Sequence, residues 1–521
     1  MQEYVTQPLH RALQQHPDRA MTIFGDRRRT VRESVERIAR LAAALQTLGM
    51  KPGERVGMFA LNSDRYFEYF YAVPWAGGVL NPCNTRWSAR EVAYSLEDCE
   101  TAYLIVDDNF KDMVTAFRAE AKSLRHVIYA GDGPLPPGMH SYEALIEVAR
   151  PVADVRRGGD ELLGVFYTGG TTGFPKGVML SHRGFVSSST ALIAEGICPP
   201  EGVWLRTAPM FHLADGASGH GATLQNATHV ILPGFHPERV LDAITTHRVG
   251  GALLVPTMIQ MLLSHPATQK ADVSSLRQLV YGASAIAEQT VVDLMERWPH
   301  VELYQAYGQT EMSPVVSVLG PQAHSAQALA AGMLRSCGRA TYCVEVAILD
   351  DEGREVPCGT VGEIAARGPN MMLGYWNKSE QTKVALPGDG WLRTGDGAYM
   401  DEHGYIFIVD RVKDMIVTGG ENVFSAEVEN VIASHPAVAM CAVIAIPSEK
   451  WGESVHAVVV PKAASPVSAD EIVAHCETKI AGYKCPKSVE FRVELPMSGA
   501  GKILKAKLRE AFWKGRARQV A

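Results

Sequence analysis

The sequence predicts a large α/β domain of stacked, mostly parallel sheets with helices and a small β-barrel, followed by a smaller, mobile α+β C-terminal domain. Over roughly the first three hundred residues, short apolar runs alternate with helical patterns, which is typical of parallel sheets covered by helices. From about Gly338, short strands are broken by Asp-Glu-Gly and Pro-Cys-Gly turns, which predicts the antiparallel barrel. After Asp410, a helix, a strand and a capped helix predict the α+β unit.

Particular segments predict the elements. Strands are predicted at TAYLIVDD, HVIYAGD, LLGVFYTGG, HVILPG, GALLVPTM and LRQLVYGAS. The apolar residues of VRESVERIARLAAALQTLG recur three and four residues apart, which predicts an amphipathic helix. In the C-terminal part, AEVENVIASHPAVAMCAVIAIP predicts a helix and then a strand, and SADEIVAHCETKIAG predicts a capped helix.

The length of 521 residues exceeds that of one compact core, since domains usually have about 100–200 residues. We expect the large domain to span residues 1–410, in parts that cover approximately 1–160, 161–335 and, for the barrel, 336–410. Residues 411–521 are expected to form the C-terminal domain. No repeat or low-complexity linker interrupts the sequence, so the joint between the domains is expected to be short.

Composition predicts a cytoplasmic enzyme. The net charge of −7 argues against nucleic-acid binding, which usually needs a basic face. The nine cysteines form no CxxC pair, which indicates reduced thiols rather than a disulfide or zinc framework. No stretch approaches the ~18 apolar residues of a membrane span, so we expect no stable membrane insertion. The initial segment MQEYVTQPLHRALQQHPDRAM lacks the apolar core of a signal peptide.

The segment YTGGTTGFPKG, from Tyr167 to Gly177, is the first candidate binding loop. It follows the predicted strand LLGVFY, and its glycines and threonines would let backbone N–H groups and hydroxyls surround phosphate oxygens, with Lys176 as a mobile positive charge. It is not a Walker loop, because Pro175 precedes the lysine and a glycine follows it. The alternative is a flexible surface loop. The predicted phosphate contacts are Thr168, Gly169, Gly170, Thr171, Thr172 and Gly173.

Three further motifs occur in order along the chain: QAYGQTE, the long segment WLRTGDGAYMDEHGYIFIVDRVKDMIVTGGENVFSAEVE, and SGAGKILKAKLRE. Together with the glycine loop they resemble the signature motifs of the adenylate-forming superfamily of acyl-CoA synthetases, aryl-acid CoA ligases, beetle luciferases and peptide-synthetase adenylation domains. The resemblance covers nearly the whole chain and is greatest to AMP-forming CoA ligases of medium- or long-chain fatty acids and related acids. It implies ATP, Mg²⁺ and coenzyme A as partners of a small carboxylic acid.

The resemblance implies a nucleotide site. Glu311 would be the Mg²⁺ ligand, and Thr310 would hydrogen-bond the α-phosphate. Tyr307, beside Gly308, would lie against the adenine, although an aromatic residue after a strand is more often core packing. Asp396 would bind the ribose hydroxyls, although Asp beside Gly is more often a turn. The other implied contacts are Gly282, Ala283 and Ser284 beside the adenine and Arg411 at the ribose.

The C-terminal residues would serve both half-reactions. Lys502 resembles the lysine that reaches the α-phosphate and the attacking carboxylate, and Lys413 in DRVKD resembles a hinge residue. The implied CoA contacts are Gly419, Gly420, Glu421, Trp451, Tyr483 and Lys484, with domain packing as the alternative for the tryptophan. Two departures, Gly169 and Ala500, stand where the family often has a hydroxyl residue, and we expect them to tune activity. The lysines of the basic tail, Lys505, Lys507 and Lys514, are expected to be solvated.

The substrate is the least defined feature. His212 stands where amino-acid-activating domains usually carry an aspartate, which favours an acid without an α-amino group. The predicted acyl pocket consists of His212, Ala214, Gly216, Ser218, Ala306 and Val315. Asp215 either points away from this pocket or indicates a substrate with a polar tail. A fatty or aryl acid is favoured; an enzyme that loads a carrier protein, a luciferase-like oxygenase and a non-catalytic binding module are the alternatives. The oligomeric state stays open, with a homodimer as one option.

Overall fold

The computed structural model describes residues 3–168, 175–411, 414–419, 421–462, 465–498 and 503–514. The first part of the chain forms the helices α1 Gln7–Gln15, α2 Val31–Thr47, α3 Asp64–Trp75, α4 Ala89–Asp98, α5 Val114–Arg118 and α6 Tyr142–Val148. Its strands are β1 Ala20–Phe24, β2 Arg27–Thr30, β3 Arg55–Phe59, β4 Val79–Pro82, β5 Thr101–Val106, β6 His126–Tyr129, β7 His140–Ser141 and β8 Leu162–Thr168.

The middle of the chain continues the alternation of strand and helix. Its strands are β9 Lys176–Ser181, β10 Val203–Arg206, β11 Thr228–Ile231, β12 Gly251–Leu254, β13 Gln278–Gly282, β14 Glu302–Gly308, β15 Val315–Leu319 and β16 Arg339–Ala340. Its helices are α7 His182–Ala194, α8 Leu213–Leu224, α9 Pro237–His247, α10 Pro256–Ser264, α11 Glu288–Arg297 and α12 Ala326–Ala330.

The last part of the chain has longer antiparallel strands. They are β17 Glu345–Leu349, β18 Gly362–Arg367, β19 Gly374–Tyr375, β20 Leu392–Met400, β21 Ile406–Arg411, β22 Ile416–Thr418, β23 Glu421–Val423, β24 Val438–Ser448, β25 Gly452–Pro461 and β26 Ser488–Phe491. The helices are α13 Ser379–Ala385, α14 Ser425–Ala433, α15 Ala469–Glu477 and α16 Lys505–Trp513.

Two large sheets dominate the fold. One has the strand order β19-β9-β8-β4-β3-β5-β6-β7, and the other has the order β16-β15-β14-β13-β12-β10-β11-β1-β2. Pairing is parallel in the interior of each sheet and antiparallel at the edges formed by β9 and β19, by β15 and β16, and by β2. The predicted α/β class is therefore confirmed, and both sheets carry helices because their strands are apolar on both faces.

The small antiparallel unit and the C-terminal unit follow. The first is a four-stranded antiparallel sheet of order β17-β18-β20-β21, and it lies in the part of the sequence for which the small barrel was predicted. The second is a sheet of order β23-β22-β25-β24, with β26 beside β25, and it packs against α14, α15 and α16. The predicted α+β character of this part is confirmed. No helix in the described parts of the chain is long and apolar enough to cross a lipid bilayer.

Local sequence explains several boundaries. Helix α2 begins after Thr30, whose side chain accepts from the Glu33 amide while the Glu33 carboxylate accepts from the Thr30 amide. The predicted cap of α15 is the same reciprocal arrangement, between Ser468 and Glu471. Each pair satisfies amide groups that the first helical turn leaves without partners.

The C-terminal helix α16 corrects one expectation. Leu508 is fully buried against β24 and β25, and the Trp513 indole donates to the Ala445 carbonyl at 2.9 Å. Lys505 is not solvated as predicted, because its Nζ lies 2.7 Å from a carboxylate oxygen of Glu429 on α14. The helix is thus part of the C-terminal core, and its remaining predicted lysines are exposed.

Candidate active site

The phosphate loop connects two antiparallel strands at the edge of the eight-stranded sheet. Strand β8 ends at Thr168, which pairs with Lys176 at the start of β9. The predicted contacts between these two residues, Gly169, Gly170, Thr171, Thr172 and Gly173, lie outside the described residues. The preceding Tyr167 is fixed, since its hydroxyl donates to Asp98 Oδ2 at 2.6 Å. The loop therefore begins and ends on the paired strands β8 and β9.

One aromatic side chain joins the predicted lysine to the predicted metal ligand. The Nζ of Lys176 lies 4.8 Å from the centre of the Tyr375 ring, and the Tyr375 hydroxyl donates to Glu311 Oε1 at 2.8 Å. Burial and the charge of Glu311 raise the pKa of Tyr375, so that its hydroxyl remains a donor. Two residues far apart in sequence thus meet through a third that the sequence analysis missed.

The turn that carries Thr310 and Glu311 is held by backbone contacts. It is a short 3₁₀ turn after β14, and the Glu311 carbonyl accepts from the Met372 amide at 2.8 Å. The side-chain amide of Asn370 donates to the carbonyls of Met312 and Val315 at 2.7 and 2.8 Å. These bonds fix the backbone from which the Glu311 carboxylate projects.

Two glycines beside the predicted adenine contacts permit close backbone approach. A Cβ on Gly308 would lie 1.9 Å from the Pro314 carbonyl oxygen, and a Cβ on Gly282 would lie 2.1 Å from that of Ala306. The next residue, Ala283, has a φ of 64°, in the left-handed region, so the chain turns sharply before Ser284. The ends of neighbouring strands β13 and β14 are therefore brought together without intervening side chains.

The predicted ribose ligand lies against the predicted adenine contact. The Tyr307 hydroxyl donates to Asp396 Oδ2 at 2.7 Å, and burial next to this carboxylate raises the pKa of Tyr307 well above its usual range. Strand β20 is anchored next to Asp396 by a hydrogen bond of 2.7 Å from the Gly395 amide to the Glu363 carboxylate. The backbone of Arg411 is the cross-strand partner of Asp396. Strands β14 and β20 thus place these predicted nucleotide residues together.

The predicted acyl-pocket residues divide into two groups. Ala214, Ala306 and Val315 belong to one apolar cluster between α8 and strands β14 and β15. Gly216 instead faces the ring of Phe185, 3.7 Å from where a Cβ would stand. The hydroxyl of Ser218 donates to the Ala214 carbonyl at 2.9 Å and so remains within the helix.

At the start of helix α8, His212 is the N-cap residue, and the centre of its ring lies 4.3 Å from that of Phe211. The unexpected acid on this helix, Asp215, points into the core. It forms an ion pair with Arg206 of β10, and both side chains are buried. A Cβ on Gly219 would lie 2.5 Å from the Arg206 guanidinium carbon, so the helix has a glycine where the arginine passes. Asp215 therefore has a buried partner of opposite charge.

The predicted CoA contacts lie on the surface of the C-terminal domain. The Gly419 amide donates to the Trp451 carbonyl at 2.9 Å, and a Cβ on Gly419 would lie 2.9 Å from the Trp451 ring. Trp451 is 46% exposed and Tyr483 is 43% exposed. The ammonium of Lys484 lies 2.8 Å from both carboxylate oxygens of Glu427.

Four further residues of the C-terminal part were predicted to contact CoA, to form the hinge or to act in catalysis. Glu421 is exposed on β23, whereas Lys413, Gly420 and Lys502 lie outside the described residues. Within the described ranges, no group of three or more His, Cys, Asp or Glu side chains is arranged to hold a metal ion. Glu311 would therefore have to share a metal ion with ligands from a substrate.

Strands β13 and β14 of a mostly parallel sheet end in glycines near Tyr307, Asp396 and Glu311, and an α+β unit follows later in the chain; this is the arrangement expected of an adenylate-forming enzyme. The chain belongs to the AMP-binding enzyme family: residues 9–376 match the model of the AMP-binding enzyme, and residues 427–502 match that of the AMP-binding enzyme C-terminal domain. The predicted superfamily is confirmed. The enzyme class, an adenylate-forming acid–thiol ligase, is confirmed as well, and ATP and CoA are typical substrates of such ligases.

Similar proteins cover nearly the whole chain. A feruloyl-CoA synthase of Amycolatopsis sp is 37% identical over 484 residues, which are 93% of this chain and 94% of that protein. A medium/long-chain-fatty-acid–CoA ligase of Mycobacterium tuberculosis is 35% identical and covers 98% of this chain and 90% of its own. The crystal structure of an anthranilate CoA ligase in complex with anthranoyl-AMP is 26% identical, with a TM-score of 0.91 and coverage of 98% and 97%.

Proposed function

We propose that the protein joins a medium- or long-chain fatty acid, or a related apolar carboxylic acid, to CoA in two steps through an acyl-adenylate. The observation that carries this proposal is the apolar cluster that contains Ala214, Ala306 and Val315, beside the strand end that leads to Glu311. The one acid on the adjoining helix, Asp215, is neutralised by Arg206. An acyl group without charge suits such a wall, because burying an unpaired charge is costly.

In the first step, a carboxylate oxygen of the acid attacks the α-phosphorus of ATP, and the bond to the β-phosphate oxygen breaks, so that pyrophosphate leaves. Two anions meet in this step, so positive charge and aimed donors are needed where negative charge develops. Lys176, at the base of the phosphate loop, and Thr310, on the turn after β14, are the residues to which we assign this task, together with Lys502.

Glu311 fits a Mg²⁺ site of the kind that uses few protein ligands. Tyr375 donates to one carboxylate oxygen, Oε1, and no described residue donates a hydrogen bond to Oε2. Mg²⁺ commonly takes one or two carboxylates together with substrate phosphates. When bound, the ion would neutralise phosphate charge. Glu311 would hold it, and Tyr375 would keep the carboxylate oriented.

The nucleoside half of ATP is assigned to the adjoining strand ends. Gly282, Ala283 and Ser284 would border the adenine, with Tyr307 against its face and Gly308 behind. Asp396 would accept hydrogen bonds from the ribose hydroxyls, and the Tyr307 hydroxyl, which donates to Asp396 Oδ2, would keep this carboxylate oriented. Arg411 would add a second ribose contact. The close backbone approach of Gly282 to Ala306 and of Gly308 to Pro314 supports this arrangement, because it fixes the strand ends beside which the base would lie.

In the second step, the CoA sulfur attacks the acyl carbon, the bond to the AMP oxygen breaks, and AMP leaves. We assign Gly419, Gly420, Glu421, Trp451, Tyr483 and Lys484 to the CoA side, with Lys413 as the pivot between the two steps. The exposed rings of Trp451 and Tyr483 are consistent with this assignment, because Trp and Tyr are enriched where proteins contact their partners.

The main alternative substrate is an aryl acid. It is suggested by the feruloyl-CoA synthase, which is about as similar to this chain as the fatty-acid ligases are. Small side chains at Ala214 and Ala306 suit a ring as well as an alkyl chain. An enzyme that passes the acyl group to a carrier protein instead of CoA is the second alternative.

A panel of acids tests the proposal. Straight-chain acids from butyrate to stearate, with ferulate and indoleacetate, are each supplied with ATP, Mg²⁺ and CoA, and AMP and thioester are measured. We expect AMP and thioester in equal amounts, with the highest kcat/KM for a fatty acid, and loss of both products when Mg²⁺ is chelated. Preference for ferulate would replace the fatty-acid assignment, AMP without CoA thioester would favour a carrier protein, and no AMP with any acid would exclude the proposal.

A pair of variants tests the pocket itself. Ala214→Phe places a ring in the apolar cluster and should raise KM for the longest accepted acid roughly tenfold while KM for ATP stays unchanged. Thr190→Phe adds the same ring on the exposed side of α7 and is the matched control. An equal effect of Ala214→Phe on all acids would contradict a pocket wall at this helix.

A further inference from the structure

An arginine of the large domain contacts the C-terminal domain directly. Arg86 is an exposed residue of the segment between β4 and α4, and its Nη1 donates to the Ser498 carbonyl oxygen at 2.7 Å. The two residues are 412 positions apart in the chain. This hydrogen bond therefore connects the two domains and not neighbouring loops of one domain.

On the C-terminal side, the contact falls next to an isolated β-bridge. Met497 forms an antiparallel bridge with Ile503, and the Leu504 amide donates to the Pro496 carbonyl at 2.8 Å. Ser498 directly follows one member of this bridge, and Lys502 directly precedes the other. Residues 499–502 lie outside the described residues. Arg86 thus holds the segment that leads to the predicted adenylation lysine.

On the large-domain side, the arginine stands beside the strand that ends in the phosphate loop. Its amide donates to Asn84 Oδ1 at 2.9 Å, which fixes the turn around it. The ring centre of the next residue, Trp87, lies 6.4 Å from that of Tyr167 in an edge-on contact. Tyr167 immediately precedes Thr168 at the end of β8. One short chain of contacts therefore runs from the phosphate-loop strand through Trp87 and Arg86 to Ser498.

We propose that Arg86 is a positioning residue for adenylate formation. By holding the Ser498 carbonyl, it keeps residues 496–498, which precede the predicted adenylation lysine Lys502 in the chain, against the large domain during the first step, and this hydrogen bond is broken for the second step. The inference rests on the proposed two-step function. A guanidinium suits this task because it is charged at all working pH values and its planar fork presents several donors to a carbonyl oxygen.

The two half-reactions separate this role from a general effect on stability. Acid-dependent exchange of labelled pyrophosphate into ATP measures adenylate formation, and thioester release from supplied acyl-AMP and CoA measures the second step. Both assays use the full-length protein and the acid of the panel that is turned over fastest. Loss of an exposed hydrogen bond from a charged donor should reduce the exchange rate roughly tenfold.

The variants are Arg86→Ala, Arg86→Lys and the matched control Arg11→Ala. Arg11 is also exposed and donates to a backbone carbonyl, that of Leu224 at 2.9 Å, but within the large domain. We expect Arg86→Ala to slow pyrophosphate exchange roughly tenfold. The rate of thioester release from acyl-AMP should stay within about twofold of the wild-type rate. Arg86→Lys should restore part of the exchange rate, and Arg11→Ala should match the unchanged protein in both assays.

Three results would overturn the inference: unchanged exchange in Arg86→Ala, equal loss in both half-reactions, or loss confined to thioester release, which would place Arg86 on the CoA path. Assays of the wild-type protein distinguish these results from failure of the proposed function. If it exchanges no pyrophosphate with any acid, the two-step function itself is wrong. If it performs both steps, only the role of Arg86 is at stake.

Discussion

The nucleotide half of the candidate site, on the large domain, and the CoA half, on the C-terminal domain, differ in how firmly their side chains are held. Tyr307, Glu311 and Asp396 are joined to neighbouring strands by side-chain hydrogen bonds, and Gly282 and Gly308 leave no space for a Cβ. On the other half, Trp451 and Tyr483 are nearly half exposed. The side chains of the nucleotide half are therefore held in place without a bound substrate, whereas those of the CoA half include aromatic rings exposed to solvent.

The difference matches the chemistry that each half is proposed to perform. Transfer of an adenylyl group develops charge on phosphate oxygens, and fixed donors stabilise such charge at no cost in reorganisation. Attack by a thiol on an adenylate needs less charge stabilisation, because AMP is already a good leaving group. It needs access for a long cofactor, which an exposed surface provides. Substitutions in the two halves should therefore affect different half-reactions.

The largest expected effect concerns the residue that would cross from one half to the other. Lys502→Ala should reduce adenylate formation about a thousandfold, because a cation at the reacting phosphate would be lost, while thioester release from supplied acyl-AMP is largely retained. Pyrophosphate exchange and thioester release measure the two steps separately. Lys507→Ala, an exposed lysine of the same tail, is the control. Equal loss in both steps would contradict a separate adenylating arrangement of the domains.

A smaller effect is expected within the nucleotide half. Asp396→Ala should raise KM for ATP by roughly ten- to a hundredfold, since it removes two proposed ribose hydrogen bonds and leaves the buried Tyr307 hydroxyl without its acceptor. The control is Asp389→Ala, an exposed carboxylate on the preceding loop. Isothermal titration with ATP measures the affinity directly, and an unchanged affinity would remove Asp396 from the ribose site.

The sequence predicted those parts of the fold that have a local signal. LRQLVYGAS became β13 and SADEIVAHCETKIAG became α15, because an apolar run or a capping pair specifies each element by itself. The pairing of strands that lie far apart in the sequence had no such signal. Strand β1 pairs in parallel with β11, and no property of AMTIF identifies that partner. Sheet order depends on contacts between distant segments.

The candidate site shows the same division. Glu311 and Asp396 were singled out because their motifs resemble those of the adenylate-forming superfamily, but Tyr375, which links Glu311 to Lys176, was missed. Its position depends on the short pairing of β19 with β9, which no local pattern predicts. The ion pair of Asp215 was not predicted for the same reason, since Arg206 lies on a strand and Asp215 on the following helix.

A moderate effect is expected on the CoA half. Trp451→Ala should raise KM for CoA roughly five- to tenfold, because an exposed ring that covers Gly419 is lost, while pyrophosphate exchange stays unchanged. Trp391→Ala removes another half-buried tryptophan, on the small antiparallel sheet, and serves as the control. If Trp451→Ala slows pyrophosphate exchange and leaves KM for CoA unchanged, the tryptophan packs the domains together, as the sequence alternative held.

The smallest effect is expected at Lys484, because it already has a partner on its own domain. Its ammonium is shared by both oxygens of Glu427, and a partly exposed pair of this kind contributes about 0–1 kcal/mol to stability. Lys484→Met should therefore change KM for CoA by less than about threefold and leave the melting temperature nearly unchanged. Glu427→Gln frees the ammonium and is the informative counterpart. If this variant lowers KM for CoA while Lys484→Met raises it tenfold, Glu427 competes with a CoA phosphate for the lysine, and the CoA half is more ordered than its exposed rings indicate.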